Sequence, residues 1–121
     1  MRPLLEQYLF THKRTTVLLA TVWTVAILVL CLIPGRELPK VDLWQHTDKL
    51  VHFTLFLGLQ TLWQGAYPQR RTPILLLLVA YGLLIEVVQH YCVTGRSFDL
   101  YDWLADSLGA LAAWRWLRAK R

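Results

Sequence analysis

Charge is scarce in this sequence. Only 17% of the 121 residues are Asp, Glu, Lys or Arg, against 55% that are hydrophobic. A soluble domain of this size normally shows more polar surface, so the balance argues against an ordinary soluble globule. Acidic residues are scarcer than basic ones, 8 against 13 with a net charge of +5. An excess of cations invites a nucleic-acid reading, but these cations are neither spread along one helix nor interleaved with exposed aromatics. They gather at Lys13 and Arg14, at Arg70 and Arg71, and at Arg115, Arg118, Lys120 and Arg121. Clusters flanking apolar runs set membrane topology rather than bind phosphates, and nucleic acid is excluded as a partner. There is no internal repeat and no low-complexity segment, which leaves one domain over residues 1–121.

Long uncharged runs take the place of the missing charge. The stretch "TTVLLATVWTVAILVLCLI", 15–33, carries no charge and approaches the roughly 20 residues a helix needs to cross a hydrocarbon core of about 30 Å. It is too long and uniform for a signal-peptide core, and no small-residue cleavage pattern follows it. Pro34-Gly35 ends the helix. Further apolar runs cover 50–66, 73–93 and 101–117. The Tyr67-Pro68 turn and "QRRT" predict an antiparallel hairpin of the second and third helices, and "TGRSFD" joins the third to the fourth. The expected fold is all-α, a compact bundle of four transmembrane helices. "PGRELPKVDLWQHTD", Pro34 to Asp48, is long enough to lie over the bundle as an interfacial segment.

The Lys and Arg bias orients the bundle. With the N-terminus in the cytoplasm, Arg2, Lys13, Arg14, Arg70, Arg71, Arg115, Arg118, Lys120 and Arg121 lie inside, and Arg36, Lys40, Lys49 and Arg96 outside. Nine against four places both termini in the cytoplasm. Trp44 and Trp103 then fall near the outer interface and Trp63, Trp114 and Trp116 near the inner one, as paired aromatic belts. Cys31 and Cys92 share an outer depth. A disulfide between them is open, although cysteine is a common apolar filler and disulfide geometry is restrictive.

The ionisable residues within the runs fall on one side of this arrangement. Asp48, Lys49 and His52 open the second helix, Glu86, Gln89 and His90 close the third, and Arg96, Asp99, Asp102 and Asp106 lead into the fourth. Spacings of three, four and seven residues put each group on one helix face. A charge at the bilayer centre costs about 3 kcal/mol on insertion scales, so these stripes are expected to face inward and meet. They would wall a polar pocket, open to the outside and floored by apolar side chains. Simpler readings exist for several members. Asp48, Asp99 and Asp102 suit helix caps, Lys49 can snorkel, Gln89 can join helices, and His90 sits close to the interface. Glu86, Asp106 and His52 resist that treatment. Ala105, Gly109 and Ala113 form a small-xxx-small stripe for close helix contact.

The blocks "DKLVHFTLFLGL", "YGLLIEVVQHY" and "GRSFDLYDWLADSLGAL" resemble the VanZ-like family of small bacterial membrane proteins, of the teicoplanin-resistance type, over Asp48 to Leu111. By motif position the resemblance implies roles for Asp48, Lys49, His52, Phe53, Glu86, Gln89, Arg96, Asp102 and Gly109. The family usually carries asparagine where this chain has Asp106, so an added buried carboxylate needs its own partner or a proton. The resemblance implies a multi-pass protein of the bacterial cytoplasmic membrane acting at the cell envelope.

Two kinds of function fit these residues. In the first, the pocket recognises an anionic or lipid-linked envelope molecule, with a contribution to glycopeptide resistance. Lys49, Arg96 and His52 would meet phosphate or carboxylate, while Asp48, Glu86, Gln89, Asp102 and Asp106 complete the ligand-binding set. The alternative is a membrane-embedded hydrolase or transferase acting on a lipid-linked substrate, with His52 as general base and Glu86 as general acid. A divalent metal on His52, Glu86, Asp102 and Asp106 is chemically sensible, yet the spacing carries no metal signature and the cofactor is left unknown. A carrier would need a polar path to the other side, and the opposite half offers only Gln60, Gln64 and a few hydroxyls. A homo-oligomer could supply such a path.

Overall fold

A computed structural model describes residues 4, 8, 11–32, 47–92 and 100–117. The segment expected at the interface before residue 47, Arg96, Asp99 and the basic residues after Leu117 lie outside these, as does the Asp48 side chain. Among the described residues all regular structure is helical. Helix α1 runs Lys13–Leu32, α2 Thr47–Ala66, α3 Arg71–Cys92 and α4 Leu100–Trp116, with a single 3₁₀ turn at Pro68–Arg70 between α2 and α3.

The sequence explains these limits. Pro68 begins the turn, where its missing N–H costs nothing, and Arg70 N–H donates to Tyr67 O at 3.0 Å. Within the helices, threonine hydroxyls donate back one turn to the main chain. Thr21 bonds Val17 O at 2.8 Å, Thr24 Ala20 O at 2.7 Å, Thr54 Leu50 O at 2.8 Å and Thr61 Leu57 O at 2.7 Å. Each hydroxyl is thereby satisfied without water, a requirement of an apolar surround.

Contacts between helices give their directions. Lys13 Nζ lies 4.4 Å from the Tyr67 ring centre, and Trp23 Nε1 donates to Leu55 O at 2.9 Å, so α1 and α2 are antiparallel. Tyr81 Oη donates to Thr24 O at 2.8 Å and Gln89 Nε2 to Cys31 O at 2.7 Å, so α1 and α3 are parallel. Trp103 Nε1 donates to Val79 O at 3.0 Å and Trp114 Nε1 to Thr72 Oγ1 at 3.2 Å, so α4 runs opposite to α3. The result is an up-down-up-down bundle.

The tightest pairing is α2 with α4, while the hairpin partners α2 and α3 touch only lightly. Gly109 is the cause. A Cβ there would run into the Phe53 carbonyl and stand 3.1 Å from Leu57 N, so α2 backbone rests where a side chain would be. Ala105 and Ala113, one turn to either side, are buried in the same seam. Ile27, Phe56, Leu59, Ile85 and Ala110 fill the centre.

The outside of the bundle is apolar. Leu18, Val22 and Val25 on α1, Leu76, Leu77 and Leu84 on α3, and Leu104, Leu108 and Leu111 on α4 are all exposed. An apolar surface this extensive needs a non-aqueous surround or a partner. Lys13–Leu32 and Pro68–Cys92 are long and apolar enough to cross a membrane. Helix α2, carrying Lys49, His52, Gln60 and Gln64, and α4, with 17 residues including Asp102 and Asp106, do not meet that measure. Cys31 is buried and Cys92 is exposed, and no disulfide joins them.

Candidate functional site

Three helices bring five ionisable side chains to one end of the bundle. Lys49 and His52 come from the first turns of α2, Glu86 from the last third of α3, and Asp102 and Asp106 from the first turns of α4. The parallel course of α2 and α4 makes this possible. Their contact at Gly109 sets the register, so the four-residue step from Asp102 to Asp106 runs alongside the three-residue step from Lys49 to His52.

Lys49 Nζ pairs with Asp102 Oδ1 at 2.8 Å, and His52 Nδ1 meets Asp106 Oδ1 at 2.8 Å. Asp102 Oδ2 lies 3.6 Å from His52 Nε2, a charge contact too long to be a hydrogen bond. The imidazole is thus held between two carboxylates of α4. One atom each of His52, Glu86 and Asp106 lies within 4.8 Å of the others.

Burial is graded through the cluster. The Lys49 side chain is 26% exposed, Asp102 15% and His52 14%, while Asp106 is at 1% and Glu86 at 0%. One turn deeper on α2 and α4 lie Phe56 and Ala110, both buried. A polar cluster therefore gives way to apolar packing one turn deeper. Its described members are three carboxyls, one ammonium and one imidazole, an acidic balance that a sequence net charge of +5 conceals.

Of the expected ligand-binding residues, Lys49, His52, Glu86, Asp102 and Asp106 come together. Gln89 is buried one turn from Glu86, but its amide is directed at α1, where it donates to Cys31 O. His90 is exposed. Asp48 has its backbone in α2 with its side chain outside the described residues, and Arg96 lies outside them altogether.

Two residues at the site carry no charge to advertise them. Gly82 lies one turn before Glu86, and a Cβ there would sit 3.2 Å from Asp106 Oδ2, 3.3 Å from Asp106 Cβ and 3.3 Å from Trp103 Cδ1. That contact is tight enough that a larger side chain would push Asp106 out of place. Trp103, anchored by its bond to Val79 O, closes the same corner. The available signal was Gly82 four residues before Glu86 in a helix otherwise rich in leucine.

The chemistry open to this arrangement is that of a carboxylate–imidazole pair in a largely buried polar cluster. It can orient hydroxyls, hold a cation or move a proton. A family model described as VanZ/LLP1 matches residues 5–120. No curated protein and no solved structure matches the chain.

Proposed function

The chain belongs to the VanZ/LLP1 family, and on that premise we propose that it is a cell-envelope membrane protein whose polar recess engages a lipid-linked envelope molecule from the outer face. All four helices cross the cytoplasmic membrane in this reading, with both termini inside. Helix direction supports it. Because α1 and α3 run parallel and each suits a full crossing, the chain must return across the membrane between them, and α2 is the segment that can do so. Helix α4 runs back along α3 from the level of Val79 to that of Thr72 and beyond it at both ends.

The observation that carries the functional reading is the graded recess. Five ionisable groups from three helices, partly exposed at Lys49 and fully buried at Glu86, converge in a bundle with an apolar exterior. Buried carboxylates in such a small membrane protein are expensive to keep, and function is the default explanation. A lipid-linked ligand could lay its apolar tail along the exposed leucines and bring its polar head to Lys49 and Asp102. Lys49 already holds Asp102 and His52 already meets Asp106, so an anionic head group must compete with a carboxylate for either cation. Sugar hydroxyls can instead add to the lone pairs left on Asp102, the more exposed of the carboxylates, without displacing Lys49.

Resistance to teicoplanin or related envelope-directed agents is the consequence to test. Alanine variants of His52, Glu86, Asp102 and Asp106 are to be expressed at matched membrane levels in a host lacking the protein, and susceptibility scored. Selective loss of protection supports the recess as the working part. Unchanged protection in all four removes it.

A second reading rests on the His52–Asp106 contact. With the Nδ1 proton donated to Asp106, Nε2 is left as a base atom at the more exposed side of the ring, the arrangement a membrane-embedded hydrolase or transferase would use. Turnover of a lipid-linked substrate that vanishes in His52→Ala would favour it over binding alone.

A further inference from the structure

We propose that His52, Glu86 and Asp106 form a binding site for one divalent metal ion of the Mn²⁺ or Zn²⁺ class. The three side chains come from α2, α3 and α4 and offer one donor atom each within 4.8 Å of the others. Two donors side by side on an ion at about 2.0–2.2 Å stand about 3 Å apart, and two on opposite sides about 4.4 Å apart. The 2.8 Å between His52 Nδ1 and Asp106 Oδ1 matches the first case. The widest separation needs to close by roughly 0.4 Å to meet the second, within reach of the side-chain torsions of a glutamate.

Burial and satisfaction distinguish this cluster from a chance gathering of acids. Glu86 and Asp106 are 0% and 1% exposed. Asp106 Oδ1 meets His52, but Asp106 Oδ2 is buried with no hydrogen-bond partner among the described residues. That oxygen lies on the α3 side, 3.2 Å from where a Cβ of Gly82 would be, one turn from Glu86 on the same face. Gly82 lets the α3 backbone come close to that oxygen, where any side chain would crowd it. A doubly charged cation there would supply the absent partner and offset two buried negative charges together.

The donor set selects the ion. Two carboxylates with one imidazole and no thiolate suit Mn²⁺ or Zn²⁺ rather than soft ions, and the imidazole disfavours an all-oxygen Ca²⁺ site. Asp102, held by Lys49 and 3.6 Å from His52 Nε2, is placed to accept the ring's second N–H once Nδ1 is bound, as metal-ligating histidines commonly require. Three protein ligands leave open positions, and a phosphate oxygen of a lipid-linked head group could take one. That last use rests on the envelope reading above; the site itself does not.

The test is metal binding by the full chain in lipid nanodiscs after treatment with a chelator. Titration with Mn²⁺ and Zn²⁺, followed by calorimetry and by the loss of the free Mn²⁺ resonance signal, should give one saturable site per chain. Asp106→Asn retains an oxygen to accept from His52 while removing the charge, and Glu86→Gln does the same on α3. Each should weaken binding at least tenfold, with His90→Ala unaffected. Because either variant could be poorly folded, the wild-type chain is also melted with and without the ion, and an added ion should raise its midpoint with reversal by chelator. Absence of a saturable site, or binding of equal strength in wild type and both variants, overturns the proposal. Ion counting does not depend on drug susceptibility, so failure of the metal site and failure of the envelope reading are separable.

Discussion

The two ends of the bundle bury polar groups in opposite ways. At the end just described, carboxylates, an ammonium and an imidazole crowd together with an acidic surplus. At the other end the buried groups are neutral amides. Gln60 Nε2 donates to Gln64 Oε1 at 3.0 Å and to Arg71 O at 3.3 Å, tying α2 to the start of α3. Arg71, a cation at this end, is used on the helix terminus. Arg71 donates to Trp114 O at 3.1 Å, where the last carbonyls of α4 lack helical partners, and its guanidinium lies 4.4 Å from the Trp114 ring centre. Neutral amides and a capping arginine suffice to join helices. The acidic end keeps ionisable side chains where the other end manages with neutral ones.

That contrast can be broken most severely at the seam on which both ends depend. Gly109→Leu drives a side chain into the Phe53 carbonyl, and overpacking against backbone should cost about 3 kcal/mol or more. Membrane levels and the melting midpoint should both fall sharply, and protection should be lost with them. A well-folded Gly109→Leu protein would mean that α2 and α4 are not locked in register.

Smaller changes sharpen the contrast. Gln60→Leu removes a donor to Gln64 and to Arg71 O and should destabilise by about 1 kcal/mol, read as a lower thermal midpoint, with susceptibility unchanged at equal abundance. Trp63→Phe deletes the indole bond to Thr24 Oγ1, 3.0 Å long, and should cost about 0.6 kcal/mol, the average for such bonds inside membranes. A large functional defect in either would erase the distinction between the ends.

Much of this was legible in the residues. The four helices follow from runs of apolar residues, with Pro68 opening the turn between α2 and α3, and the cluster follows from spacings of three and four. The small-residue seam was visible in Ala105, Gly109 and Ala113. What stayed hidden was pairing. The short link makes α2 and α3 the expected antiparallel hairpin, but the closest approach is decided by side-chain size, and Gly109 brings α2 tightest against α4. Gln89 shares a face with Glu86, yet its amide N–H, which a carboxylate lacks, is given to Cys31 O. The tryptophans expected in interfacial belts include Trp63, Trp103 and Trp114, whose indole N–H groups are spent on Thr24, Val79 O and Thr72. An indole donor away from water needs an acceptor, and sequence does not say which helix will provide it.

The most direct measurement sets one end against the other in cells. Asp106→Asn and Gln60→Leu proteins, brought to equal membrane abundance in a host lacking the chain, are compared with wild type for protection against teicoplanin and other envelope-directed agents. The expected result is loss of protection in Asp106→Asn with protection retained in Gln60→Leu. Full protection in Asp106→Asn, or equal loss in both, would contradict the assignment of function to the acidic recess.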